Sequence, residues 1–136
     1  MTNDQINLVQ ASFRRVLPLA DSAAKTFYER LFELDRSLEA LFPNDMTQQG
    51  NKLMQALGLA VVSLNRMESV APFLRMLGAR HVAYGVKEQD YDTVRRALIY
   101  ALERTLDDSF SPELETAWVE VFGIIANEMK AGAAIS

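Results

Sequence analysis

The single histidine of this chain, His81, sits on an apolar stripe of helical spacing formed by Leu74, Leu77, His81 and Tyr84. Residues three or four apart stack on one face of a helix, so this spacing turns the imidazole inward with the leucines. A buried neutral imidazole must satisfy both ring nitrogens. The protonated one needs an acceptor, and the bare one suits a donor or a metal. A backbone carbonyl serves the first need cheaply, and one imidazole falls far short of a metal cage. The residue types therefore leave two readings open, a hydrogen-bonded core histidine and a metal ligand.

Composition narrows the chemistry around it. At 136 residues the chain reads as one domain, 1–136, large enough to bury its own core. It contains no cysteine, which removes disulfides, thiolate catalysis, cysteine-held iron–sulfur clusters and thioether attachment of a tetrapyrrole. A net charge of −4 with no basic run argues against nucleic acid and against an anionic membrane surface as partners. The opening MTNDQINLVQ is polar and unlike a signal peptide, and the longest apolar run, Ala56 to Val62, is only seven residues. The expected setting is cytoplasmic.

The elements that must position His81 are helical throughout. One stripe comprises Ile6, Val9, Phe13, Val16 and Leu17 and closes near Pro18. The next holds Ala24, Phe27, Tyr28 and Leu31, with Asp21 or Ser22 as its expected cap. Leu34, Leu38, Leu41 and Phe42 form a short continuation that Pro43-Asn44-Asp45 breaks. Leu53, Leu57, Ala60, Val61 and Leu64 mark a longer helix. The His81 helix is expected from about Val70 or Pro72 to Ala83, with Gly85 as its stop. Tyr91, Val94, Leu98, Ala101 and Leu102 mark another. The last opens on Ser111-Pro112-Glu113 and turns Leu114, Ala117, Trp118, Val121, Phe122, Ile125 and Met129 inward. Ala131 to Ser136 is expected to fray. Seven or so helices of unequal length favour an irregular all-α packing around a pocket over an up-down bundle.

The order of motifs carries a resemblance. Phe27-Tyr28-Glu29-Arg30-Leu31-Phe32, Leu41-Phe42-Pro43, Gln49-Gly50-Asn51-Lys52-Leu53-Met54, Arg80-His81-Val82-Ala83-Tyr84-Gly85-Val86 and Ala117-Trp118 follow one another at characteristic separations. From about Ile6 to Met129 the chain resembles the bacterial single-domain globins, relatives of the haemoglobin domain of flavohaemoglobins. The resemblance implies the globin fold and a non-covalent haem b, with His81 as proximal ligand of its iron. It implies diatomic gas ligands, O2, NO and CO, at an open sixth position. No second histidine exists to close that position.

The same resemblance implies Tyr28 and Gln49 as a distal pair that donates hydrogen bonds to bound O2, which gains negative charge as CO does not. Leu53, one turn after Gln49, would roof the ligand pocket, and Phe42 would wedge against the porphyrin. Val86 would meet the haem edge, while Leu77, Val94, Leu98 and Phe122 would line the floor and rear wall. Lys52 and Arg80 are candidates for the haem carboxylates. Tyr91 falls where flavohaemoglobins carry a tyrosine in a proximal hydrogen-bond network. The glutamate that completes that network is replaced by Ala133, and Glu128 comes more than a turn too early. Two functions follow from the resemblance: reversible O2 binding for carriage or storage, and nitric oxide dioxygenase activity served by a separate flavin reductase. A haem-free globin-fold interaction module is a third class, which the retention of His81, Tyr28, Gln49 and Phe42 disfavours.

Overall fold

The computed structural model describes residues 1–42 and 45–134. Within them lie six α-helices: α1 (Asn3–Val16), α2 (Ala20–Leu34), α3 (Met46–Val62), α4 (Ala71–Ala83), α5 (Asp90–Leu106) and α6 (Pro112–Ala134). Shorter 3₁₀ turns at Leu17–Leu19, Arg36–Leu41, Leu64–Ser69 and Asp107–Ser109 make the corners. No strand occurs among the described residues. The seven segments expected from periodicity are the six α-helices and the 3₁₀ turn at Arg36–Leu41. The described residues form an all-α fold of unequal helices, as the spacing of the apolar stripes implies.

Local chemistry sets the helix ends. Thr2 and Gln5 form a reciprocal capping box at the start of α1. Asp45 accepts from the Thr47 amide at 2.9 Å to open α3, and Ser111 Oγ accepts from the Leu114 amide at 3.1 Å to open α6. The helix α2 departs from expectation: neither Asp21 nor Ser22 caps it. It begins at Ala20 without a side-chain cap, because the 3₁₀ turn at Leu17–Leu19, with Pro18 in its first turn, hands the chain straight into it. Asp21 lies instead in the first turn, where a carboxylate suits the helix dipole. Of the expected break at Pro43-Asn44-Asp45, the first two residues lie outside the described residues.

One continuous apolar cluster joins α1, α2, α3, α5 and α6. At its centre Trp118 is fully buried. Its Nε1–H donates to Ser12 Oγ at 2.9 Å, and the Ser12 hydroxyl donates to the Val9 carbonyl at 2.8 Å. The polar edge of the indole is therefore satisfied inside the core, and α6 is pinned to α1.

The helix α4 is held differently. No residue of α4 belongs to the continuous cluster among the described residues. It docks on α6 through two glycines: a β-carbon built at Gly78 would overlap the Met129 carbonyl, and one at Gly132 would overlap the Arg75 carbonyl. The backbones thus touch at two points, and Arg75 Nε donates to Glu128 Oε2 across the same crossing at 2.9 Å. This contact corrects the expected fraying from Ala131. The helix continues to Ala134 with Gly132 buried, and only residues 135–136 of that tail lie outside the described residues.

Candidate functional site

His81 lies in the last turn of α4 and is half-buried. Its Nδ1 is 2.6 Å from the carbonyl oxygen of Leu77, one turn earlier. A carbonyl can only accept, so Nδ1 carries a proton, and in the neutral ring the lone pair is on Nε2. Metal-bound histidines are commonly oriented by this type of bond, which fixes both the tautomer and the ring plane. The two readings left open by the sequence, a carbonyl-bonded histidine and a ligand, are therefore compatible. The carbonyl takes one nitrogen and leaves the other.

The end of α4 brings Val86 to His81. Gly85 adopts φ +99°, a left-handed conformation that costs glycine little. The Val86 amide donates to the His81 carbonyl at 2.9 Å and the Gly85 amide to the Val82 carbonyl at 3.0 Å. These two bonds form a Schellman turn, which folds the residue after the glycine back onto the last helical turn. Tyr84 is the correction here. Expected on the inner stripe, it is 63% exposed. It is the C-cap residue, so the turn and no longer the helix sets its direction.

The other cluster sits on α2 and α3. Tyr28 is buried in an aromatic nest: its ring centroid lies 4.8 Å from Phe27, 6.1 Å from Phe32 and 5.4 Å from Phe42. The Phe27 and Phe42 rings meet it edge-on, a favoured geometry for aromatic pairs. Burial pushes the Tyr28 phenol up to about 12, and the side-chain hydrogen bond with Gln49 partly opposes that rise. Tyr28 therefore stays a protonated donor through any physiological pH. Gln49 is held at the start of α3, and Gly50 beside it lets α3 approach α2: a β-carbon there would sit 3.0 Å from the Ala24 side chain.

The remaining candidates divide into three groups. Leu53 and Leu98 line one small apolar void of about 10 Å³ together with Phe27 and Met54. Leu98 is buried, whereas Phe42, Leu53, Val94 and Phe122 are half-buried on the rim of the core. Leu77 and Val86, on the α4 side, are half-buried as well. Lys52 and Arg80 are exposed and make no ion pair among the described residues.

Tyr91 is half-buried in the first turn of α5, and burial raises its phenol. Its neighbour is a cation: Lys130 Nζ lies 5.2 Å from the ring centroid and 3.9 Å from Glu88. Glu128, the acid nearest in sequence to the missing carboxylate, is taken up by Arg75. Nothing in the sequence marks Lys130 for this place. A basic residue one turn after Ala126 cannot be told from a solvated helix charge without knowing that α6 passes Tyr91.

These residues fit a flat apolar group with a ligand-hungry metal at its centre. His81 Nε2 has no hydrogen-bond partner among the described residues, and α3 makes no extensive backbone approach to α4 among them. The apolar residues on both sides are half-covered, so an inserted planar group would complete their burial.

Comparison with known proteins identifies the family. The family model described as Globin matches residues 25–129. Neuroglobin of Tetraodon nigroviridis is 30% identical over 119 residues, covering 77% of this chain and 75% of that protein. Neuroglobin of Danio rerio is 29% identical over 119 residues with the same coverage. Flavohemoprotein of Bacillus subtilis (strain 168) is 24% identical over 131 residues, covering 93% of this chain and 33% of that protein. The chain thus spans about a third of the length of that flavohemoprotein. With an all-α fold, a tautomer-fixed histidine and a family match over most of its length, the chain belongs to the globin family.

Proposed function

We propose that this globin binds haem b non-covalently through His81 and takes up O2 reversibly. The observation that carries the proposal is the His81 Nδ1 contact with the Leu77 carbonyl at 2.6 Å, which leaves Nε2 as the free donor atom. Haem held there supplies a ferrous iron with one position open to O2, CO or NO. Phe42, Leu53, Leu77, Val86, Val94, Leu98 and Phe122 form its apolar walls and keep water from it. Lys52 and Arg80, which make no ion pair among the described residues, meet its carboxylates.

Tyr28 and Gln49 are the distal donors. The buried phenol keeps its proton, and the Gln49 side chain lies close enough to oppose the rise that burial causes. Hydrogen bonds to a charged acceptor in a dry site are worth about 1.5–3 kcal/mol each. The pair therefore favours O2 over CO, because bound CO carries little charge. Stopped-flow mixing of the reduced haem complex with O2 and CO tests the reading. Reversible complexes of both gases, with slow O2 release, support it.

Nitric oxide dioxygenase activity is the second reading, favoured by the likeness to a flavohemoprotein. It requires a separate flavin reductase to return the iron to the ferrous state. The cation over Tyr91, where a carboxylate network would strengthen electron donation by His81, weighs toward simple O2 binding. Sustained NO consumption with a flavin reductase and a nicotinamide donor would favour the enzyme.

A further inference from the structure

A cleft of about 840 Å³ opens against α1 and α3, outside the site described above. Phe13, Gly58 and Val61 give it an apolar floor, and Val62 and Arg14 stand among its walls. The small void beside the distal residues is a second, separate space, lined by apolar side chains that include Phe27, Leu53 and Leu98. One residue, Met54, lines both among the described residues. Met54 is therefore the side chain common to a solvent-open cleft and an apolar space next to the distal pair. Leu53 lies one turn beyond Gln49, and the Phe27 ring is 4.8 Å from that of Tyr28.

We infer that diatomic gas exchanges between solvent and the distal site through the α1–α3 cleft, with the Met54 side chain as the gate. This rests on the gas-binding reading above. Three properties of the position support it. Methionine is unbranched and reorients readily about three bonds, so it yields without moving backbone. Its neighbours one turn before and after on α3 are Gly50 and Gly58, which carry no side chain to brace it. The walls of the void are apolar, so they offer water no hydrogen-bond partner and suit an apolar gas. Gln49 makes a poorer gate, because swinging it outward breaks its bond with Tyr28. Met54 opens without breaking a polar contact.

A barrier on an entry path slows arrival and escape alike and leaves the equilibrium untouched. Laser photolysis and ligand-replacement kinetics of the CO complex, on the intact haem-loaded chain, read this directly. Val62 is 60% exposed, so Val62→Trp can fill the cleft without touching Tyr28, Gln49 or Leu53. The expected result is slower CO association and slower CO dissociation by one common factor of roughly five- to tenfold, with Kd unchanged. Met54→Ala, a second and independent variant, should speed both rates and lower the fraction of CO that rebinds before escaping. Rates equal to the parent in both variants, or a change in Kd carried by one rate alone, would overturn the port while leaving gas binding intact. A parent chain that takes up haem but gives no CO spectrum would overturn both.

Discussion

His81 Nδ1 points at the Leu77 carbonyl from 2.6 Å, and the Val86 amide donates to the His81 carbonyl at 2.9 Å on the other side of the same residue. His81 is thereby fixed both through its ring and through its backbone. Rotation of the imidazole about its side-chain bonds would sacrifice the first bond, and unwinding of the last turn of α4 the second. Preorganisation of this kind means that a metal bound at Nε2 need not supply the energy of ordering its ligand.

The distal pair predicts selective kinetics. Tyr28→Phe keeps the aromatic nest, since the ring contacts with Phe27, Phe32 and Phe42 need no hydroxyl. It removes the donor. O2 dissociation should accelerate by roughly 10- to 150-fold, with CO dissociation changing far less. Stopped-flow displacement of each gas measures both, and equal changes for O2 and CO would contradict the distal role of Tyr28.

The same phenol predicts a pH dependence of stability. Its value rises from 10.0 to about 12 on folding, because burial disfavours the phenolate. The unfolded chain therefore loses this proton first as pH rises. Stability from this group is fully present below pH 10 and declines as pH climbs toward 12. A shift of this size corresponds to roughly 2–3 kcal/mol, because one unit is worth about 1.4 kcal/mol. Urea unfolding across that window should show the decline, and Tyr28→Phe should flatten it relative to the parent.

The α4–α6 crossing predicts opposite outcomes for two glycines. Gly78→Ala would force a methyl group into the Met129 backbone and spread the helices. A destabilisation of about 1–3 kcal/mol or more is expected, together with weaker haem retention, since α4 carries His81. Gly123, on the same α6, has nothing within 4 Å of its β-carbon position. Gly123→Ala should therefore stabilise by about 0.5–1 kcal/mol through helix propensity alone. Thermal melts of the two variants should move apart from the parent in opposite directions.

The stripes of apolar residues made most of the fold legible, because a helix that buries one face must repeat every three or four residues. Ser111 and Pro112 announced the start of α6 for local reasons, and Gly85 announced the end of α4 for the same kind of reason. Other positions are set by contacts or turns that the stripes do not show. Gly78 and Gly132 look like weak points of a helix until α4 and α6 cross, and then they are what allows the crossing. The tail from Ala131 looked free for the same reason. Tyr84 continued the stripe in sequence, but the turn that places Val86 beside His81 sends Tyr84 outward. Lys130 over Tyr91 and the partition at Met54 depend on how three helices pass one another, which periodicity does not encode.

The central claim is that His81 holds haem iron with the sixth position open. Its most direct test is the ultraviolet–visible spectrum of the haem-loaded chain and of His81→Ala, before and after dithionite, then under CO and O2. The account predicts a five-coordinate ferrous form of the parent that converts cleanly to CO and O2 complexes, and loss of that coordination in His81→Ala. A parent chain with no Soret band, or a His81→Ala spectrum identical to the parent's, would contradict it.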